Sequence, residues 1–151
     1  MAAPCDQLIY NQKRMKEHFD NLGFIIDGLL HLTANQALQC IQKGAVLVDV
    51  REDYEIAIKD FGIMEKLFCP SKDFKKLYAT LPRDKKLIIA DCVGIHSKEA
   101  ALILLRNGFT MVANLAGGIV DWEHDGLPMS NDIESMNGPC ICKIKSRKKI
   151  N

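Results

Sequence analysis

Short apolar runs alternate along this chain with longer segments whose apolar residues recur at helical spacing. Ala45–Val50 (A-V-L-V-D-V) lacks polar alternation at its start, and Leu87–Ala90 (L-I-I-A) is wholly apolar. Both read as strands covered on both faces. Leu29–Leu32, Leu67–Cys69 and Thr110–Asn114 read as further strands, the first at an edge, with Phe24–Asp27 a short apolar piece before it. A helix is expected over residues 6–22, with Leu8, Ile9, Met15, Phe19 and Leu22 near one face and Gly23 as its stop. A second is expected over Ala34–Gln42, with Thr33 as N-cap and Gly44 at its end. Further helices are expected over Glu52–Ile58, Lys72–Ala79 (capped by Ser71), Ser97–Asn107 and Ile119–His124. Asp60–Lys66 shows no clear period and reads as loop, and Pro82–Lys85 as a turn.

Strand and helix alternate about four times, which predicts an α/β domain: a central parallel sheet flanked by helices on both faces. Ligands bind such sheets outside the carboxyl ends of the strands. Two strands turn polar there, one at Asp49 and Arg51, the other at Asp91 and Cys92. The second is the richer in chemistry. Cys92 ends a buried strand, and Val93, Gly94, Ile95 and His96 lead into a helix beginning at Ser97. A helix N-terminus presents unpaired N–H groups and partial positive charge, which cradle an anion or acidify a thiol. The plain alternative is a small cysteine filling a gap.

Composition narrows the classes. A chain of 151 residues, 48% apolar, is one ordinary domain with a substantial core, and a net charge of +1 argues against wholesale attraction to nucleic acid or membrane. No run is long enough for a membrane span, and the N-terminus lacks a basic-then-apolar leader, so a cytoplasmic protein is expected. The six cysteines are then thiols, not staples, and they form no paired C-x-x-C sets for zinc. The expected division is an N-terminal helical extension (1–30), a core domain (31–129) and a C-terminal tail (130–151). The last sixteen residues of that tail carry five basic residues, no acid and the pair Cys140-x-Cys142.

Several stretches together resemble the rhodanese-like domain. They are D-V-R-E at Asp49–Glu52, Cys69-Pro70, S-K-E-A-A-L-I-L-L-R-N-G-F at Ser97–Phe109 and N-L-A-G-G-I-V-D-W-E-H-D-G-L-P at Asn114–Pro128. The last is the most specific, and the likeness runs from about Leu32 to Met129. It implies a parallel sheet flanked by helices, and a cysteine loop that carries a persulfide between a sulfur donor and an acceptor. Two departures stand out. The interval K-D-F-G-I-M-E-K-L-F does not match the family's glycine-histidine segment. Counting back from Ser97 also puts Asp91 at the family's nucleophile position, with Cys92 one residue late. Either the loop is one residue shorter, or the nucleophile has been lost.

The first expectation is therefore a sulfurtransferase. Cys92 would take sulfane sulfur from a donor such as thiosulfate or polysulfide and pass it to a small thiol or protein acceptor, with no organic cofactor or metal. The N–H groups of Val93, Gly94, Ile95, His96 and Ser97 would hold the anion, and Asp91, Lys98, Cys140 and Cys142 are possible accessories. Asp91 works against a thiolate at Cys92. Asp49 and Arg51 are read as structural. The alternative is a catalytically silent rhodanese-like module that binds a small anion or a protein partner, with no nucleic acid or membrane partner in either case. A phosphatase on the same scaffold is disfavoured, because Lys98 stands where the arginine of C-x5-R would be and cannot grip phosphate bidentately.

Overall fold

The structure is a computed structural model describing residues 4–130. The pair Cys140 and Cys142, and nearly all of the expected tail, lie outside the described residues. Helices α1 (Pro4–His18), α2 (Ala34–Gln42), α3 (Asp53–Ile58), α4 (Phe74–Leu77), α5 (His96–Arg106) and α6 (Gly118–His124) alternate with eight strands. These are β1 (Phe24–Ile26), β2 (Leu29–Leu32), β3 (Val46–Asp49), β4 (Asp60–Phe61), β5 (Lys66–Phe68), β6 (Leu87–Ala90), β7 (Val112–Leu115) and β8 (Met129–Ser130). Six strands form one sheet in the order β1-β2-β7-β6-β3-β5, parallel except for β1.

The two-residue period of the strands sorts their side chains into two cores. Leu30, Leu32, Leu47, Ile88, Ala90, Ala113 and Leu115 face Met15 and Phe19 of the N-terminal segment, Ala37 and Cys40 of α2, and Ile119 and Trp122 of α6. Leu29, Val48, Val50, Leu87, Ile89 and Val112 face Phe74 of α4 and Ala100, Ala101 and Leu104 of α5. The fold is mixed α/β, with a mostly parallel sheet covered on both faces.

Most expected elements are present, and α2 has the expected Thr33 cap, completed as a capping box by Gln36. Four differences have physical causes. First, the N-terminal helix ends at His18, because Asp20 and Asn21 adopt left-handed backbone angles; Met15 and Phe19 are buried, whereas Leu8 and Ile9 are exposed. Second, β2 is not an edge: β1 flanks it, so a boundary at residue 30 falls inside this strand. Third, the helix expected over Lys72–Ala79 is one α-turn between two 3₁₀ turns. Fourth, the segment read as loop over Asp60–Lys66 contains β4, which pairs antiparallel with β8, and the start of β5.

That small pairing is a clasp. Phe61 is fully buried, meets the Trp122 ring edge-on and lies beneath the Arg51 guanidinium, 5.1 Å away. Trp122 Nε1 donates to the Pro128 carbonyl at 2.8 Å, which holds the chain on its way into β8. Phe61→Ala should therefore cost about 3–5 kcal/mol. Urea denaturation checks this; a loss under about 1 kcal/mol would mean the clasp is peripheral to the core.

Candidate functional site

The site forms where β3, β6 and β7 end. Odd-numbered Asp91 shares the α5 face of the sheet with Ile89, and β7 brings Asn114 level with Ile89 while β2 brings His31 level with Asn114. Three polar side chains thus converge under the first turn of α5 in an otherwise apolar layer. All three are buried, as is Ser97.

The loop wraps around the Asp91 carboxylate. His96 N–H donates to Oδ2 at 2.8 Å and Ser97 N–H to the same oxygen at 3.3 Å, while Gly94 N–H donates to Oδ1. Ser97 Oγ lies 3.2 Å from Asp91 Oδ1 and 2.5 Å from Asn114 Oδ1, so its one proton serves them in turn. Asn114 Nδ2 donates to the Gly94 carbonyl at 3.3 Å and lies 3.1 Å from His31 Nδ1. Among the described residues His31 Nε2 is buried without a hydrogen-bond partner. Burial lowers the His31 pKa from its ordinary value, and the charge of Lys98 adds to this.

Glycines make the loop possible at two places. Gly94 sits at φ +92°, and a Cβ there would come within 3.1 Å of Gly117 N and 3.2 Å of the Leu115 carbonyl. Gly118, at φ +57°, presses on the loop from the other side, where a Cβ would overlap the Cys92 backbone. That close approach lets α6 donate its first N–H groups to the loop: Ile119 N–H to the Asp91 carbonyl at 2.9 Å and Val120 N–H to the Cys92 carbonyl at 3.2 Å.

Convergence of the N–H groups of residues 93–97 on Cys92 is not the arrangement found. The donors of Gly94, His96 and Ser97 point at Asp91, and the anion at the loop centre is the chain's own carboxylate. Cys92 is partly buried beside the loop, its Sγ 3.3 Å from Glu55 Oε1 on α3. Burial, the Glu55 hydrogen bond and the Glu55 charge push the Cys92 thiol up to about 11; Arg51 opposes them. A raised pKa leaves a smaller thiolate fraction at neutral pH than an ordinary cysteine has. Val93, Ile95 and His96 have exposed side chains, and Lys98 pairs with Asp27 of the β1–β2 turn at 3.2 Å.

Asp49 and Arg51 form a buried ion pair at the end of β3. Arg51 forks onto Asp49 at 3.0 and 2.8 Å and donates to the Lys59 carbonyl at 2.7 Å, joining β3 to the end of α3. Burial raises the Asp49 pKa, and the Arg51 hydrogen bonds and charge pull against it. Among the described residues no cluster of His, Cys, Asp or Glu is placed to hold a metal ion, and no helix is long and apolar enough to cross a membrane.

Glu55, Asn114 and His31 were not singled out from the sequence. Asn114 and His31 carried a usable signal, since a polar residue inside a four-residue buried strand needs a partner. Glu55 carried none, because its contact spans 37 positions.

Residues 33–125 match the family profile described as the rhodanese-like domain. A tRNA uridine(34) hydroxylase of Buchnera aphidicola subsp. Acyrthosiphon pisum (strain Tuc7) is 32% identical over 129 residues, 78% of this chain and 38% of that protein. The chain thus spans well under half of that relative's length. A sulfurtransferase of Allochromatium vinosum is 33% identical over 84 residues, 56% of this chain and 77% of that protein. Among solved structures, a rhodanese-related protein from Thermoplasma volcanium superposes with a TM-score of 0.61 at 25% identity, covering 66% of this chain and 96% of that one.

Two outcomes are expected from these contacts. Asp91→Ala strands three loop donors and should cost on the order of 2–4 kcal/mol in urea denaturation, with Asp91→Asn costing less. A loss near zero would mean the loop reorganises without its centre. Glu55→Gln removes a charge that holds the thiol protonated, so alkylation of Cys92 at mildly alkaline pH should accelerate, by about tenfold for each unit the pKa falls. An unchanged rate, read by peptide mass mapping, would assign the raised pKa to burial alone.

Proposed function

The chain belongs to the rhodanese-like domain family, and we propose that within it this protein is a recognition module that does not carry sulfane sulfur at its loop centre. One observation carries this reading: the Asp91 carboxylate takes the loop donors that a bound anion or persulfide would need. A second anion there would meet a like charge and no unsatisfied N–H group on Gly94, His96 or Ser97. Outward the loop presents two exposed apolar side chains, Val93 and Ile95, beside the exposed His96. A protein surface fits that face better than a small anion does.

A second reading keeps the chemistry on Cys92 and draws on the sulfurtransferase relative. Cys92 thiolate would attack the outer sulfur of thiosulfate, the S–S bond would break and sulfite would leave. The persulfide would then pass its sulfur to a thiol or protein acceptor. In this reading the raised thiol pKa makes loading slow at neutral pH.

Intact mass after treatment with thiosulfate or polysulfide separates the two. The wild-type protein should gain no sulfur at neutral pH. Asp91→Cys, which places a thiol among the loop donors, should gain one that reductant removes. A reductant-sensitive gain in the wild type that disappears in Cys92→Ser would replace the first reading with the second.

A further inference from the structure

The polar chain that starts at Asp91 ends on a titratable ring. His31 on β2 is 7% exposed, and Asp91, Ser97 and Asn114 are buried at least as deeply. The Gly94 carbonyl fixes the Asn114 amide. At 3.3 Å it faces the Nδ2 donor, which leaves Oδ1 to the Ser97 hydroxyl. Nδ2 also lies 3.1 Å from His31 Nδ1. A donor faces this ring nitrogen, so Nδ1 carries the lone pair and the proton of the neutral ring sits on Nε2. Nε2 is the buried atom without a hydrogen-bond partner among the described residues. Phe24 of β1 stacks on the ring, with centroids 5.5 Å apart and planes 12° from parallel, and so fixes its plane.

A second proton on this ring goes to Nδ1, where it meets the Asn114 donor head-on. A half-turn of the Asn114 amide about its soft terminal torsion relieves the conflict by exchanging Oδ1 and Nδ2. The oxygen then accepts from His31 Nδ1–H, and the nitrogen donates to Ser97 Oγ. The Ser97 proton, shared until then between Asp91 and Asn114, passes to Asp91 Oδ1 alone. The Gly94 carbonyl, which had accepted from Nδ2, now faces an oxygen and loses its side-chain donor. One proton from solvent is taken up, and no other group changes its charge.

We propose that His31 and Asn114 form a proton-operated latch on the loop: uptake of one proton at His31 Nδ1 turns the Asn114 amide and releases the Gly94 carbonyl, while Asp91 keeps its backbone donors. The latch opens on acidification. Burial lowers the His31 pKa from its ordinary 6.5, and the charge of Lys98 on α5 adds to this. The backbone of Ile26 on β1 and the carboxylate of Asp27 in the β1–β2 turn favour the charged ring and are outweighed. Asp91 lies beyond Asn114 and Ser97. The ring is therefore neutral and the latch closed at neutral pH. The unfolded chain binds this proton more readily than the folded one. The stability that the neutral ring contributes is thus present above 6.5 and is lost as pH falls through the folded value. The latch stands apart from Cys92, whose thiol meets Glu55 instead.

The test is NMR of the isotope-labelled full chain between about pH 5 and 8, reading the histidine ring nitrogens, the Asn114 side-chain amide and the Gly94 carbonyl carbon. It is run on His96→Gln, which removes the exposed loop imidazole and keeps the backbone N–H at that position. At neutral pH His31 should show the Nε2–H tautomer. On acidification its ring should titrate with a midpoint below 6.5, and the Asn114 amide and the Gly94 carbonyl should shift with that same midpoint. His31→Gln, added to this background, has no group to titrate there and should abolish the Gly94 shift. A neutral Nδ1–H tautomer would overturn the proposal, as would a midpoint at or above 6.5, or a Gly94 carbonyl that stays silent while His31 titrates. These three are read with His31 in place, so they do not depend on how well His31→Gln folds. A Gly94 shift that survives His31→Gln would also overturn it.

Discussion

A single carboxylate organises the functional end of this protein. The segment between β6 and α5 must turn sharply, and in turning it leaves the N–H groups at the start of α5 without helical partners. Asp91 supplies the missing acceptor from within the loop, satisfying Gly94, His96 and Ser97 together. From there the polar chain continues through Ser97 and Asn114 to His31, across the register of three parallel strands. The glycines at 94 and 118 let the neighbouring backbones close around it. Remove the carboxylate, and each of these contacts loses its reason.

A second fixed point lies at the neighbouring strand end. Arg51 holds Asp49, the Lys59 carbonyl and the ring of Phe61 at once. It therefore fastens α3 and the β4–β8 clasp to the sheet, and α3 in turn presents Glu55 to Cys92. The thiol is thus governed from two sides, by a loop that directs its donors elsewhere and by a helix that brings a like charge.

Much of this was legible in the sequence because it is local. The run L-I-I-A gives β6 to the residue, and Thr33 with Gln36 three positions on gives the start of α2. Alternate pleating of short apolar runs gives a sheet covered on both faces. The count back from Ser97 that set Asp91 against Cys92 posed the right question about the site. It could not answer it, because the direction of three N–H groups depends on loop backbone angles rather than residue types. What stayed hidden was long-range: β4 is two residues long and exists only because β8 returns to it, and Glu55 finds Cys92 only once α3 has been docked by Arg51. Hydrophobic periodicity has no purchase on either.

The cradled carboxylate also changes what kind of equilibrium the loop can take part in. In a site that binds a free anion, occupancy follows the concentration of that anion. Here the occupant is covalently tethered, and its effective concentration is fixed by the chain at a level free solutes do not reach in solution. A competing oxyanion would have to evict Asp91, and the evicted carboxylate would be left partly desolvated among β-strand ends with Asn114 and Ser97 half satisfied. Under the recognition reading proposed above, the shape of the loop does not follow the supply of small anions, because its three donors are held by Asp91.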